Sequence, residues 1–285
     1  MTNDKKADVQ DRMQTKEKLK REERRKMNVV ILCGGIGTRL REETMFKPKP
    51  MVMIGSRPIL WHIMKIYGHY GFRRFIFCLG HKGEMIKEYF FHYEMINNDI
   101  TIRLGANGGF KIHDIHNEDD WEITLCNTGD NAQKGARLKR IEKYIDSDRF
   151  MVTYGDGVAN IDIEELLKFH KSHGKTATVV GVRPKFLRFG ELNIQGNQVT
   201  SFSEKPKYSG NYVNGGFFVF EHDLFDYLED RDDCDLEIGP LDQISQKGEL
   251  MVYKHDKFWA CMDTIRDAEY LNKLWNSNQA EWKVW

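Results

Sequence analysis

The run Asn28-Val-Val-Ile-Leu32 passes without a polar break into Cys33-Gly-Gly-Ile-Gly-Thr-Arg39, and this junction constrains the fold more than any other feature of the chain. A short, continuously apolar, β-branched run bounded by glycines reads as a strand buried on both faces. Glycines at the end of such a strand let backbone N–H groups approach a phosphate closely. No Gly-Lys-Ser/Thr triplet follows, so this is not a P-loop. The dinucleotide fingerprint fails too: Leu40 stands where a third glycine belongs, and the second strand ends in Leu79-Gly80-His81 without an acidic residue. A tight strand-to-helix corner explains the glycines equally well, so the turn alone leaves both readings open.

The remaining pattern narrows them. Strand signals at Arg74–Leu79, Ile123–Cys126, Phe150–Tyr154 and Thr176–Val182 alternate with helical spacing in a segment opened by Pro58, over Glu84–Tyr93, Arg137–Ile145 and Ile163–His170. Repeated strand–helix–strand units predict an α/β fold with a doubly wound, mostly parallel, Rossmann-like sheet covered on both faces. From Glu191 the texture changes to ELNI, QGNQ, VTSFSE and YVNGGFFVF, which predicts an antiparallel portion appended to that sheet. Strand Leu250–Lys254 and helix Thr264–Trp275 close the chain.

Residues 1–26 differ from the rest, with ten Lys/Arg, six Asp/Glu and no aromatic side chain. They form a charged extension, helical or disordered, ahead of a domain spanning 27–285; a docking helix and an unstructured leader are both compatible with the composition. The whole chain has 43 basic and 43 acidic residues, so no net charge draws it to nucleic acid or anionic membrane. No apolar stretch approaches the roughly 20 residues of a membrane span. The five scattered cysteines, without a CxxC pair, argue against a disulfide framework or structural zinc and for a cytoplasmic, reducing setting.

Downstream of the glycines stand Arg39, Lys47 and Lys49, the lysines stiffened by Pro48 and Pro50. Pinned cations beside a phosphate-cradling turn suit a triphosphate. GGxGTRL followed by PKPM resembles the signature of the sugar nucleotidyltransferases, and the longer strings VTYGDGVANIDI, RFGELNI, SFSEKPK, VNGGFFVFE and FWACMDTIRDAEYLNKLW resemble the branch that acts on CTP and glucose 1-phosphate. The likeness runs over residues 27–285 and implies transfer of a cytidylyl group from CTP to α-D-glucose 1-phosphate, giving CDP-glucose and pyrophosphate.

The resemblance also implies roles for residues. Leu32, Cys33, Gly34, Gly35, Ile36, Gly37 and Thr38 would hold the nucleotide, with Arg39 and Lys49 on its phosphates and Thr128, Arg137, Gly155 and Asp156 completing the site. Asp156 and Asp263 would ligate Mg²⁺, an ion that prefers oxygen donors and keeps several waters. Arg39, Lys49 and Lys205 would be catalytic; Glu204, Lys205, Asn214, Gly215 and Glu237 would bind the sugar phosphate. The partners implied are CTP, a sugar 1-phosphate and further copies of the chain, with Trp61–Tyr70 and Trp275–Trp285 as contact surfaces. Two segments depart from the family pattern: Lys134-Gly-Ala-Arg137 replaces Thr-Gly-Gly-Arg, and Pro184–Gly190 is bulkier than Pro-Gly-Arg-Phe-Gly. Another base, another phosphorylated acceptor, or a non-catalytic nucleotide-sugar-binding protein are the alternatives. The acidic and histidine-bearing loop from His113 to Asp120 reads as solvated, and Cys33, without a visible base, reads as a small apolar position rather than a nucleophile.

Overall fold

A computed structural model of the chain describes residues 18–35, 40, 44–105, 108–113, 118, 120–184, 191–195, 198–203 and 212–285. Its centre is a seven-stranded sheet of β1 (Asn28–Leu32), β2 (Arg74–Leu79), β3 (Glu122–Asn127), β4 (Arg149–Tyr154), β5 (Ala177–Val182), β6 (Val213–Glu221) and β7 (Leu250–His255), in the order β7-β5-β6-β4-β1-β2-β3. Six strands are mutually parallel; β6 alone runs against both its neighbours. From β1 the chain winds outward through β2 to β3, then returns to place β4 on the other side of β1. Such a reversal opens a crevice at the carboxyl ends of the two strands, where open α/β sheets bind ligands. Leu32 pairs with Tyr154 at that rim.

The period-2 alternation of β1 divides the core. Val29 and Ile31 face one apolar layer, with α2 (Ile59–His69), α5 (Ile163–His173) and α6 (Ile265–Asn276); Val30 and Leu32 face the other, with α4 (Lys134–Ile141) and residues 224–244. Residues 18–26 form helix α1, held by Arg24–Glu164 at 2.8 Å, Glu23–Lys171 at 2.6 Å and an Arg25–Asp120 pair. α3 is Gly83–Phe91.

Three details differ from the sequence expectation. YVNGGFFVF is not part of the appended hairpins but the antiparallel strand β6 at the heart of the main sheet; the hairpin itself pairs Glu191–Gln195 with Gln198–Ser203. Helix α4 begins at Lys134, three residues before Arg137, because Gly135 is there for close approach: a Cβ on it would lie 2.8 Å from the carbonyl oxygen of Cys234. The aromatic runs at Trp61 and Trp275–Trp285 cover one another. Trp61 meets Trp285 at 5.7 Å and His62 meets Trp275 at 4.6 Å, with Trp282 wholly buried. Part of this aromatic surface is therefore buried within one chain, with Trp275 and Trp285 only partly covered.

Two buried histidines have settled tautomers. The Lys175 amide donates to His173 Nδ1, so the neutral ring carries its proton on Nε2 and donates to Thr178 Oγ1. Thr178 then donates to His170 Nδ1, and His170 Nε2–H donates to Glu221 Oε1, which also accepts from Arg149. His62 donates from Nε2 to the carbonyl of Ile54 and accepts at Nδ1 from the Trp282 indole. Burial pushes the pKa of both His170 and His62 down to about 4 from 6.5. The folded state therefore keeps these rings neutral where the unfolded chain protonates them. Their contribution to stability is complete above about pH 6.5 and is lost as pH falls toward 4, by at most about 1.4 kcal/mol per pH unit for each ring. Urea unfolding at pH 7 and pH 5 should show that loss, with a shallower pH dependence in His170→Gln; equal stability at both pH values would mean that the folded rings take up protons as readily as the unfolded chain.

Candidate active site

The crevice at the ends of β1 and β4 is a cleft of about 470 Å³, walled by Leu32–Gly35, Lys49, Pro50, Tyr154–Gly157, Asn214–Gly216 and Asp263, with Lys134, Trp259 and Cys261 completing it. The floor is tight. Gly155 donates to the carbonyl of Leu32 at 3.1 Å, and a Cβ on Gly155 would come within 2.9 Å of both that oxygen and Pro50. Only glycine permits this contact.

Two carboxylates distant in sequence meet at the rim. Gly157–Ala159 pairs antiparallel with Trp259–Cys261, and the ladder is extended by the Met262 amide donating to the Asp156 carbonyl at 2.8 Å. That register sets Asp263 beside Asp156. Asp263 then leads into α6, whose cap Thr264 forms a reciprocal capping box with Asp267, while Asp267 Oδ2 also accepts the Asp263 amide. Opposite stands Lys49, presented by a short 3₁₀ turn between Pro48 and the buried Pro50. Its Nζ lies 2.6 Å from Asp156 Oδ2 and 2.5 Å from Asp263 Oδ1. Burial by itself would lower the lysine pKa, but the charge and hydrogen bonds of the two aspartates more than reverse this, and Lys49 is held as an ammonium. A single cation thus already bridges the two carboxylates, and two oxygen donors are the ligand type that an oxygen-seeking metal such as Mg²⁺ takes, with waters and phosphate oxygens filling its remaining positions.

Behind the glycine turn lies a second cation. Arg137 is buried, its Nη1 donating to the Leu79 carbonyl at 3.0 Å and to Thr128 Oγ1 at 2.9 Å, and its Nη2 to the Asp130 carbonyl. Thr128 in turn donates to the Leu79 carbonyl. Among the described residues no carboxylate forms an ion pair with Arg137; directly under Gly34 its charge is met by carbonyl and hydroxyl oxygens, with the Asp130 carboxylate acting at longer range. A buried, unpaired guanidinium is costly alone and favourable beside an anion. The structure therefore puts Thr128 and Arg137 beneath the loop rather than on the cleft wall.

The far wall is polar and nearly neutral. The Tyr154 hydroxyl donates to Glu237 Oε1 and accepts from Asn214 Nδ2 at 3.1 Å; Asn214 Oδ1 accepts the Gly216 amide at 2.8 Å. Burial, followed by the Glu237 charge, holds the tyrosine pKa well above its ordinary value, so it remains a donor. Trp259 donates to the Gly215 carbonyl at 2.8 Å, tying the Asp263 segment to this wall. Glu237 does not line the cleft; Lys134 does, 2.9 Å from Glu237 Oε2. Cys33 and Cys261 also line it, but burial pushes the Cys33 thiol up and, with the Asp263 charge, pushes Cys261 up to about 12, so neither is a nucleophile at neutral pH.

Of the residues expected from the sequence, Leu32–Gly35, Lys49, Gly155, Asp156, Asn214, Gly215 and Asp263 come together on one cleft. Ile36, Gly37, Thr38, Arg39, Glu204 and Lys205 lie outside the described residues. Sequence reasoning missed Tyr154, Trp259 and Lys134. Tyr154 directly precedes the Gly-Asp-Gly turn and Lys134 departs from the family pattern, and these were the signals available.

A family model described as nucleotidyl transferase matches residues 28–273. The chain is 49% identical over 260 residues to a glucose-1-phosphate cytidylyltransferase of Salmonella typhi, covering 91% of this chain and 100% of that protein. It is 44% identical over 259 residues to a probable glucose-1-phosphate cytidylyltransferase of Bacillus subtilis, with the same coverage. In three dimensions it is similar to HddC from Yersinia pseudotuberculosis, with a TM-score of 0.60, 22% identity, and coverage of 87% of this chain and 98% of that one. This likeness bears on the fold.

The two glycines on either side of the cleft should respond differently to a methyl group. A Cβ on Gly34 would sit 2.0 Å from Arg137 Cζ, and the guanidinium is fixed by its hydrogen bonds; Gly34→Ala should cost about 1–3 kcal/mol. A Cβ on Gly157 meets nothing nearer than 3.8 Å, and Gly157→Ala should be close to neutral. Urea denaturation of both variants checks the contrast, and equal effects would contradict the buried position of Arg137.

Proposed function

The chain belongs to the nucleotidyl transferase family, and from that membership we propose that it transfers a cytidylyl group from CTP to α-D-glucose 1-phosphate. The observation that carries this reading is the 49% identity, spanning the full length of the relative, to a glucose-1-phosphate cytidylyltransferase. An oxygen of the sugar phosphate attacks the α-phosphorus of CTP in line; the bond from that phosphorus to the bridging oxygen of the β-phosphate breaks, and pyrophosphate leaves. The two cleft cysteines are held as thiols and no covalent enzyme intermediate is required, so the protein acts by positioning and by charge stabilisation.

The residues divide this work. The backbone of Leu32–Gly35 and the buried Arg137 charge beneath it favour the polyanionic nucleotide. Asp156 and Asp263 would hold Mg²⁺, which when bound neutralises charge on the phosphates. Lys49, released from the aspartates, would then be free to donate to phosphate oxygens. Arg39 and Lys205 are proposed on the triphosphate and on the acceptor phosphate, and Asn214 and Gly215 on the sugar. We also propose that the reaction is cytoplasmic, in keeping with five free thiols, and that the chain self-associates, for which the exposed Phe91, Ile102, Leu104 and Phe110 give apolar surface. Among the described residues no helix is long and apolar enough to cross a membrane.

Pyrophosphate release with Mg²⁺ and glucose 1-phosphate should be far faster with CTP than with UTP, dTTP, ATP or GTP; preference for another base overturns the substrate assignment, and nucleotide binding without turnover would favour a regulatory protein. Asp156→Asn and Asp263→Asn should each lower turnover by about 10²–10³ or more, with the fold retained by circular dichroism. Lys49→Met removes the ammonium that competes for the same carboxylates. It should tighten Mn²⁺ binding to the nucleotide-free protein, measured by calorimetry, while slowing turnover. Unchanged Mn²⁺ affinity would exclude a shared site for lysine and metal.

A further inference from the structure

Lys134 is a second lysine on the cleft wall, beside Lys49, and it has no part in the chemistry assigned above. It opens helix α4 on the wall that also carries Tyr154 and Asn214. Its ammonium lies 2.9 Å from Glu237 Oε2, 3.7 Å from Asp235 Oδ2 and 5.7 Å from the centre of the Tyr154 ring. The other oxygen of Glu237 takes the Tyr154 hydroxyl, and Asp235 Oδ1 takes the amides of Glu237 and Ile238. The two carboxylates are therefore fixed from behind, and they anchor a lysine whose side chain remains one-third exposed. An ammonium has three N–H donors, so this arrangement leaves donor capacity for a ligand.

The charge balance selects the ligand group. A phosphate at Lys134 would also meet two anchored carboxylates a few ångströms away, and like charges so close are repulsive. A neutral hydroxyl meets no such penalty. Its neighbours on this wall are of the same kind: with one Asn214 Nδ2 hydrogen on Tyr154 and the Oδ1 on Gly216, the second Nδ2 hydrogen is available to an acceptor. The positive charge without a direct ion-pair partner, Arg137, lies instead under Gly34, at the other side of the cleft.

We propose that Lys134 is a specificity-determining residue of the acceptor site, donating from the cleft wall to a ring hydroxyl of the sugar phosphate, with Glu237 and Asp235 as its anchor. The proposal rests on the acceptor assigned above. It moves direct contact with the sugar from Glu237 to Lys134, and Glu237 becomes a positioning residue that acts through the lysine.

The test is steady-state kinetics of Lys134→Met and Lys134→Arg with each substrate varied in turn, using glucose, galactose and mannose 1-phosphates as acceptors and CTP as nucleotide. A hydrogen bond from a charged donor corresponds to about 10–100-fold. Lys134→Met should raise the acceptor KM by that factor, leave the KM for CTP within about twofold, and narrow the preference for glucose 1-phosphate over its epimers. Lys134→Arg should recover most of the loss. Glu237→Gln should raise the acceptor KM less than Lys134→Met does. An unmoved acceptor KM in Lys134→Met, or a matching rise in the KM for CTP, overturns the proposal. Should Lys134→Met fail to fold, Lys134→Ala is read by the same two constants. Wild-type protein that turns over no hexose 1-phosphate would overturn the acceptor assignment itself; wild-type turnover with an insensitive Lys134 overturns only this inference.

Discussion

An ammonium group clamped between two carboxylates organises the catalytic end of this molecule. Lys49 stands 2.6 Å from Asp156 and 2.5 Å from Asp263, residues that enter the cleft from three separate parts of the chain. Without a cation between them the two aspartates would repel at close range, and the antiparallel pairing of Gly157–Ala159 with Trp259–Cys261 would hold that repulsion in place. The strand register, the 3₁₀ turn stiffened by Pro48 and Pro50, and the capping box that starts α6 all converge on this one contact. Two negative charges against one positive leave the cluster formally short of a charge, which is the condition under which a divalent ion competes with the lysine. In the proposed reaction the same lysine would then pass from counter-ion of the protein to counter-ion of the substrate.

Around this contact the cleft is electrostatically divided. On one side, Arg137 holds a charge with no ion-pair partner among the described residues, bonded only to carbonyl and hydroxyl oxygens below Gly34. That arrangement disfavours the empty state and favours an anion at the glycine turn. On the other side, Lys134 is matched by Asp235 and Glu237, and Tyr154 and Asn214 present neutral donors. The polyanionic nucleotide and hydroxyl-rich sugar of the proposed reaction would each require one of these two environments. The single antiparallel strand β6 brings them together, because its first residues lie at the same rim as the carboxyl ends of β1 and β4.

Much of this was legible in the chain. The apolar run Asn28–Leu32 was readable as a strand because burial on both faces demands an unbroken apolar segment, and its glycines marked a close backbone approach. The Gly-Asp-Gly and Met-Asp-Thr segments identified Asp156 and Asp263 through family likeness. The placement of VNGGFFVF is not legible in the sequence, because local alternation looks the same in a hairpin and in a central antiparallel strand; only its partners β4 and β5 distinguish them. Helix α4 starts three residues ahead of the expected Arg137, and the Gly135 inside it serves a close contact with Cys234 that no local pattern reveals. The tryptophans near the C-terminus read as an external surface because sequence does not show that residues some 220 apart, such as His62 and Trp282, lie against each other.

The sequence by itself determined the α/β class with its mostly parallel sheet, the glycine turn after the first strand and the proline-stiffened lysines, since strand periodicity, glycine placement and proline stiffening are local properties of the backbone; Asp156 and Asp263 were legible only through family likeness. The tertiary structure alone decided which charge faces which. That Lys49 bridges two aspartates, that Arg137 is buried beneath the loop, and that Lys134 rather than Glu237 reaches the cleft all depend on Coulomb and hydrogen-bond contacts between distant segments. Such contacts are fixed by strand register and helix placement, and no local pattern encodes them.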